Sequence, residues 1–379
     1  MVVNRIAQIT HKGVVYLHDN TVSIARQARD DLQSLAEKRR SNDKIIPWMR
    51  KHLSPESLQD MAHCGDYLVM LEDDTRTKRK LDIGYFCRQR LCSGCAWRSA
   101  VKSAQCVAAI AGALADQGRI MIMVTLTVPN VPADKLRQTV QHINASWARL
   151  CKRQLYASWA DHVRKLEITY NSASDTYHPH LHCVVFVRKG YFARGYISHA
   201  QLLSDWREVT RQPEITQVDV RRCRDRGNTN AILEVAKYSC KASDYSQSET
   251  VLDTMYTALH HTRTMAYAGR CKQLRTEYIE GRLAAWEEID ATRYTMRVVY
   301  VWQRTADAYA EHDAQAYQMD AAELARLQRD SDRLAAYAID TANRAATWAQ
   351  QLDQRWTRGM LYDWDDGSHV PETWEQVTI

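Results

Sequence analysis

No apolar run in the 379 residues approaches the ~18 needed to cross a bilayer. The longest, Cys106 to Ala115, reaches ten counting Gly112, so no membrane span is expected. The opening Met1-Val2-Val3-Asn4-Arg5 lacks the apolar core of a secretory signal, and the expected location is the cytoplasm. There is no Gly-x4-Gly-Lys-Ser/Thr loop, which excludes a P-loop ATPase motor. No repeat and no low-complexity tract occurs, and with 45% hydrophobic and 25% charged residues the composition is that of a folded protein, not a disordered one. Phenylalanine is scarce, 3 residues against 19 Tyr and 11 Trp; such aromatics can stack on unpaired bases, but core packing explains most of them. None of the seven prolines lies between Glu214 and Val370, so the C-terminal third is predicted to be largely helical.

Charge is present but unevenly spread. The net charge is +6, yet Arg76 to Lys102 alone holds eight Lys/Arg against the single acid Asp82. Arg221, Arg222, Arg224 and Arg226 form a second cluster, and beyond Arg358 there are five acids and no Lys/Arg. The two basic stretches suit a polyanionic partner, the alternative being a solvated basic face. Short β-prone segments at Met121–Pro129, Leu166–Tyr170 and Cys183–Val187 alternate with helical stretches such as Lys135–Trp159, an α+β pattern. Three regions are expected: 1–115, carrying a four-cysteine zinc subdomain; 116–285, with the α+β pattern; and 286–379, mainly helical with an acidic tail. In the last, Leu324, Leu327, Leu334, Ala338, Ala345, Trp348 and Leu352 form an apolar stripe expected to pack on its own domain.

The sharpest chemical signal is His178-Pro179-His180-Leu181-His182, leading into the apolar Cys183–Val187. In a strand these three imidazoles share one face, a geometry for ligating metal or for nucleophilic attack. Upstream, Leu166, Ile168 and Tyr170 alternate with Glu167, Thr169 and Asn171, a second amphipathic strand. The short polar Ser172–Tyr177 linker makes the two an antiparallel hairpin. If paired numbers sum to 349, Glu167 lies opposite His182 and Thr169 opposite His180. Two imidazoles and a carboxylate suit Mn²⁺ or Mg²⁺ with open positions for phosphate oxygens.

A third segment, Ile232–Tyr245, reads as one helix with Ile232, Val235, Ala236 and Ser239 on its packed side and Glu234, Tyr238, Lys241 and Tyr245 on the other. Reaching a phenolate at neutral pH costs roughly 4 kcal/mol from a reference pKa near ~10, which Lys237 and Lys241 could reduce. A tyrosine can be a covalent nucleophile and a carboxylate one turn away a general base for water. Finally, Cys64, Cys87, Cys92 and Cys95 form a four-thiolate set able to hold tetrahedral zinc. An iron–sulfur cluster and a set with His63 in place of Cys64 are alternatives. The other six cysteines have no ligand spacing.

Three motifs in order, Val124-Thr125-Leu126-Thr127-Val128-Pro129-Asn130, His178–His182 and Glu234–Lys241, make the sequence resemble the plasmid rolling-circle replication initiators of the HUH endonuclease superfamily, single-tyrosine subgroup. The resemblance covers roughly residues 60–275. It implies an HUH-type sheet with His180 and His182 on a central strand, and Tyr238 attacking a DNA phosphodiester to give a 5′-phosphotyrosine. It further implies Glu234 activating water for the terminating cleavage, and a cysteine group ahead of the first motif. His178 would be a ligand or a neighbour of the ligands, and Tyr245 a less favoured second nucleophile. The implied partners are single-stranded or cruciform origin DNA, a host helicase and DNA polymerase, and a second copy of the chain. Two other readings remain at this point: a histidine-triad nucleotide hydrolase or transferase using His180, and a non-catalytic zinc-dependent DNA-binding protein.

Overall fold

A computed structural model describes residues 32–223, 226–237, 239–287 and 289–357. The chain divides into two units, one running to Ser331 and the other from Asp332 onward. In the first, helices α1 (Leu32–Met49) and α2 (Pro55–Ala62) precede strands β1 (Tyr67–Glu72) and β2 (Arg79–Gly84). Then come α3 (Ser93–Asp116), β3 (Arg119–Thr127), α4 (Ala133–Cys151), β4 (His162–Asn171), β5 (Thr176–Arg188), α5 (His199–Thr210), β6 (Val218–Arg222) and α6 (Arg226–Ala236). A single turn α7 (Ala242–Tyr245), α8 (Glu249–Leu259), β7 (Met265–Ala268), α9 (Arg270–Ile279), β8 (Met296–Gln303) and β9 (Ala308–Ala316) follow. Helix α10 (Ala321–Thr357) begins in this unit and continues into the second.

The larger sheet runs β6-β3-β5-β4-β7, with each neighbouring pair antiparallel. Because alternate residues point to opposite faces, its two faces bury different sets. Ile122, Val124, Leu126, Leu166, Ile168, Leu181 and Val185 pack with Val140 and Trp147 of α4, Trp206 of α5 and Met255 of α8. On the other face Met121, Met123, Val163, Val184 and Phe186 pack with Val107 and Ile110 of α3, Ile232 and Val235 of α6, and Leu274 of α9. The sheet is thus flanked by helices on both sides. The polar end of this second face, carrying Glu167, His180 and His182, is where the apolar cover stops.

A proline in a central strand normally removes a ladder hydrogen bond. Tyr177 exchanges both backbone bonds with Val131 on the β3 side of β5. The missing N–H of Pro179, two residues on, faces the same side, and there β3 pairing has already ended at Thr127 opposite His180. Pro179 therefore breaks nothing, and the histidine run stays in register.

The smaller sheet, β2-β1-β8-β9, corrects the expectation for the C-terminal third. Residues 296–316 are two strands, and β8 inserts beside β1 from Tyr67 opposite Val301 to Glu72 opposite Met296. Absence of proline permits strands as well as helices, and Met296–Gln303, with Val298, Val299 and Val301, is β-branched. The 285/286 boundary therefore separates strands of one sheet. The 115/116 boundary falls within α3, whose residues pack against the larger sheet. Leu324 and Leu334 are 47% and 42% exposed, so the apolar stripe of α10 is not buried at these positions. The side chains of Ala345, Trp348 and Leu352, and the acidic tail, lie outside the described residues.

Val298 is wholly buried and Tyr300, two residues on, donates to Glu72 Oε1 at 2.8 Å. Val298→Asp places an unpaired charge there and should destabilise the protein by at least about 3 kcal/mol. Chemical denaturation reads this; an unchanged midpoint would show that the residue 296–316 hairpin is dispensable to the N-terminal sheet.

Candidate active site

The β4–β5 hairpin closes through a four-residue turn, with Asn171 opposite Thr176. Its register corrects the expected one by two residues: Glu167 faces His180, Thr169 faces His178 and Lys165 faces His182. A two-residue slip leaves every side chain on its original face, so the same three groups still meet. Glu167 Oε2 lies 3.3 Å from His180 Nε2 and, on the diagonal, 3.1 Å from His182 Nε2. Glu167 is only 4% exposed. Burial alone would raise its carboxyl, but hydrogen bonds to His180 and His182 outweigh it and hold the group well below the usual carboxylate range.

Each imidazole is oriented from behind. His180 Nδ1 lies 3.1 Å from the His178 carbonyl, and His182 Nδ1 lies 3.3 Å from Thr125 Oγ1 on β3. Holding Nδ1 from behind turns each Nε2 into the site, the orientation in which imidazoles ligate metal. One donor atom each from Glu167, His180 and His182 lies within 4.8 Å of the others, so the donor set fits a divalent ion with open positions. His178 is outside this group. Its ring stacks on His180 at 5.2 Å, and burial and the neighbouring His180 lower its pKa.

From the helix side, Glu234 of α6 reaches His182 Nε2 at 3.6 Å and is paired through its other oxygen with Lys237. The single helix expected over Ile232–Tyr245 is not formed. Helix α6 ends at Ala236, the Ser239 carbonyl accepts from Ile168 N at 2.8 Å beyond the β7 pairing, and Lys241 is an exposed extended residue before α7. The backbone thus leaves the helix to bond the edge of β4, which moves Lys241 and Tyr245 off the Glu234 face. Tyr238 lies outside the described residues. Tyr245 is buried and donates to the Leu91 carbonyl at 2.9 Å, with Ser93 Oγ at 3.2 Å, a structural placement and not that of a nucleophile.

Leu91 and Ser93 flank Cys92, the N-cap of α3. Cys92 Sγ is 3.4 Å from Cys64 Sγ, and Cys95 Sγ is 3.7 Å from both Cys64 and Cys87. Donors surround the sulfurs: Asn42 Nδ2 to Cys92 at 3.0 Å, Arg88 N to Cys95 at 3.2 Å and Cys87 N to Cys64 at 3.5 Å. Hydrogen bonds from Cys64, Cys87 and Cys95 push the Cys92 thiol far down, while bonding to Cys87, Cys92 and Cys95 pushes Cys64 far up. Four thiols so close, supplied with N–H donors, fit a thiophilic ion in place of their protons. His63 is 52% exposed at its side chain and paired with Asp66, outside the group.

Sequence reading missed two residues here. Thr125 was visible only as part of a motif, and its role depends on β3 lying opposite His182. Lys165, 9% exposed, shares the face of Glu167; burial lowers its pKa to about 8, and a lone lysine in a strand carries no spacing signal. The first basic stretch is partly spent on internal pairs: Arg76 with Glu311, Arg79 with Glu72 and Lys80 with Asp290. Arg221 pairs with Asp219 in the second.

Residues 78–310 match the family model described as Replication protein. A "Protein rep" of Staphylococcus aureus is 37% identical over 219 residues, 57% of this chain and 95% of that protein. A "Protein rep" of Streptococcus pneumoniae serotype 2 (strain D39 / NCTC 7466) is 29% identical, covering 66% of this chain and 83% of that protein. A third, from Bacillus sp, is 30% identical over 58% of this chain and 80% of that protein. No solved structure matches.

Tyr245→Phe removes only the hydroxyl and leaves the Leu91 carbonyl and Ser93 hydroxyl one partner short. Its unfolding free energy should fall by roughly 1–3 kcal/mol. Equal denaturation midpoints for the variant and wild type would refute the structural placement.

Proposed function

Because the chain belongs to the Replication protein family of plasmid replication initiators, we propose that it nicks one DNA strand at its plasmid origin and rejoins or releases it after a round of rolling-circle synthesis. The observation carrying this reading is the Glu167 carboxylate held between His180 and His182, with Glu234 beside them. A carboxylate and two imidazoles can hold a divalent ion with positions left for phosphate oxygens. Membership of a plasmid replication family favours a role in replication over the histidine-triad reading.

In the proposed reaction the Tyr238 oxygen bonds to phosphorus as the bond to the 3′ oxygen breaks. The phenol proton is lost to a base or water, the 3′ oxygen takes up a proton, and the DNA is left on the tyrosine as a 5′ phosphate. Glu167, His180 and His182 would hold Mn²⁺ or Mg²⁺, which when bound supplies Lewis-acid polarisation of the scissile phosphate. Thr125 and the His178 carbonyl keep the two imidazoles turned to the site. Lys237 sits against Glu234, the carboxylate that would take a proton from the water that hydrolyses the adduct. Lys241, exposed and displaced from the Glu234 face, is better suited to a DNA phosphate than to the reacting atoms. Cys64, Cys87, Cys92 and Cys95 would hold zinc, closing the loop that Tyr245 braces. Without an ATPase motor in the chain, strand opening and synthesis fall to a host helicase and polymerase, and a second copy of the chain could supply a second nucleophile.

Tyr238→Phe should abolish the covalent adduct with single-stranded DNA of its own replicon while leaving DNA affinity nearly unchanged, as read by denaturing gel and anisotropy. Retained adduct formation would remove Tyr238 from the role. Glu234→Gln should form the adduct at a near-normal rate but fail to hydrolyse it. If both steps drop together, Glu234 serves the first attack or the helix, and not termination.

A further inference from the structure

Lys165 is a buried cation on the active-site face with no ion-pair partner of its own among the described residues. It sits on β4 two residues before Glu167, so the two side chains share a face, and it lies directly opposite His182 on β5. Among the described residues its ammonium makes no hydrogen bond or ion pair, although the residue is 9% exposed. The nearest acid, Glu167, is already engaged by His180 and His182. Cys240 and Arg90 are the other charged or titratable groups close to it, and the arginine adds positive charge. Arg153, by contrast, meets Asp205 at 2.6 Å and Glu208 at 2.6 Å.

A buried, uncompensated charge is a burden on stability. An anion from outside would complete it, and the face Lys165 shares is the one proposed above to take a DNA phosphate. We propose that Lys165 is a further catalytic residue, contacting a non-bridging oxygen of the scissile phosphate and offsetting the negative charge that grows there as the tyrosine oxygen attacks. It transfers no proton; the bond made and the bond broken remain those of the reaction above, and Lys165 contributes charge alone. This inference rests on the nicking reading, since it needs a phosphodiester in the site.

The test compares full-length wild type with Lys165→Met, which keeps the length and loses the charge. Single-stranded oligonucleotides tiling the replicon that encodes the chain serve as probe, with Mn²⁺ present. Melting temperature without DNA, oligonucleotide affinity and the adduct-forming rate at saturating DNA are measured together. A melting temperature equal to or above wild type is expected, since a lone buried charge has gone. Affinity should change no more than a few-fold, because most phosphate contacts are made elsewhere, and the adduct rate should fall on the order of 100-fold, as when one transition-state donor is removed. A wild-type adduct rate in Lys165→Met would overturn the inference. So would a slowed rate accompanied by a lower melting temperature, since Lys165 would then be structural. If wild type itself forms no adduct with any tiled oligonucleotide, the nicking reading fails, and this inference with it.

Discussion

The contact on which the site depends is the one between the Glu167 carboxylate and the two imidazoles of His180 and His182. It exists because β4 and β5 are antiparallel neighbours in the middle of a sheet covered by helices on both faces. That cover fixes the register: a one-residue slip would drive Leu166, Ile168 and Leu181 out of one core and Glu167, His180 and His182 into it. The apolar residues between the histidines therefore hold the histidines in place. Placing a carboxylate where it is almost wholly buried costs stability, and its two hydrogen-bonded partners offset that.

The remaining elements are arranged around this face. Strand β3 turns His182 through Thr125, α6 carries Glu234 to the same imidazole, and the chain after α6 bonds the edge of β4 through Ser239. The four cysteines are tied into the same body, not into a detached knuckle. Cys64 and Cys92 belong to the core that contains Trp147 and Trp206, and Tyr245 links the chain after α6 to Leu91 and Ser93 beside Cys92. Disturbing the cysteine group therefore disturbs the core on the opposite face of the sheet and the chain after α6 that Tyr245 anchors.

Much of this could be read in the sequence because the period-2 patterns of Leu166–Tyr170 and His178–Val187 state both the strands and their polar face. The histidine face survived a register misread by two, since parity and not pairing decides which side a residue takes. The cysteine spacing likewise identified four sulfurs that the fold gathers. What failed was long-range or contextual. Nothing local says that Met296–Gln303 pairs with Tyr67–Glu72 more than 200 residues away, and helical spacing over Ile232–Tyr245 could not reveal that the backbone bonds an open strand edge after Ala236. The burial of Lys165 depends on three strands at once, so its solitary charge was invisible along the chain.

The central claim is that this face brings a phosphodiester to a nucleophile in the segment between α6 and α7. Mass spectrometry tests it most directly. The protein is incubated with Mn²⁺ and single-stranded DNA of its own replicon, digested with trypsin, and the nucleotide-bearing peptide is sequenced. The account predicts one modified peptide, with the oligonucleotide joined through its 5′ phosphate to Tyr238. A 5′ phosphate on any other residue, or on none, would contradict it.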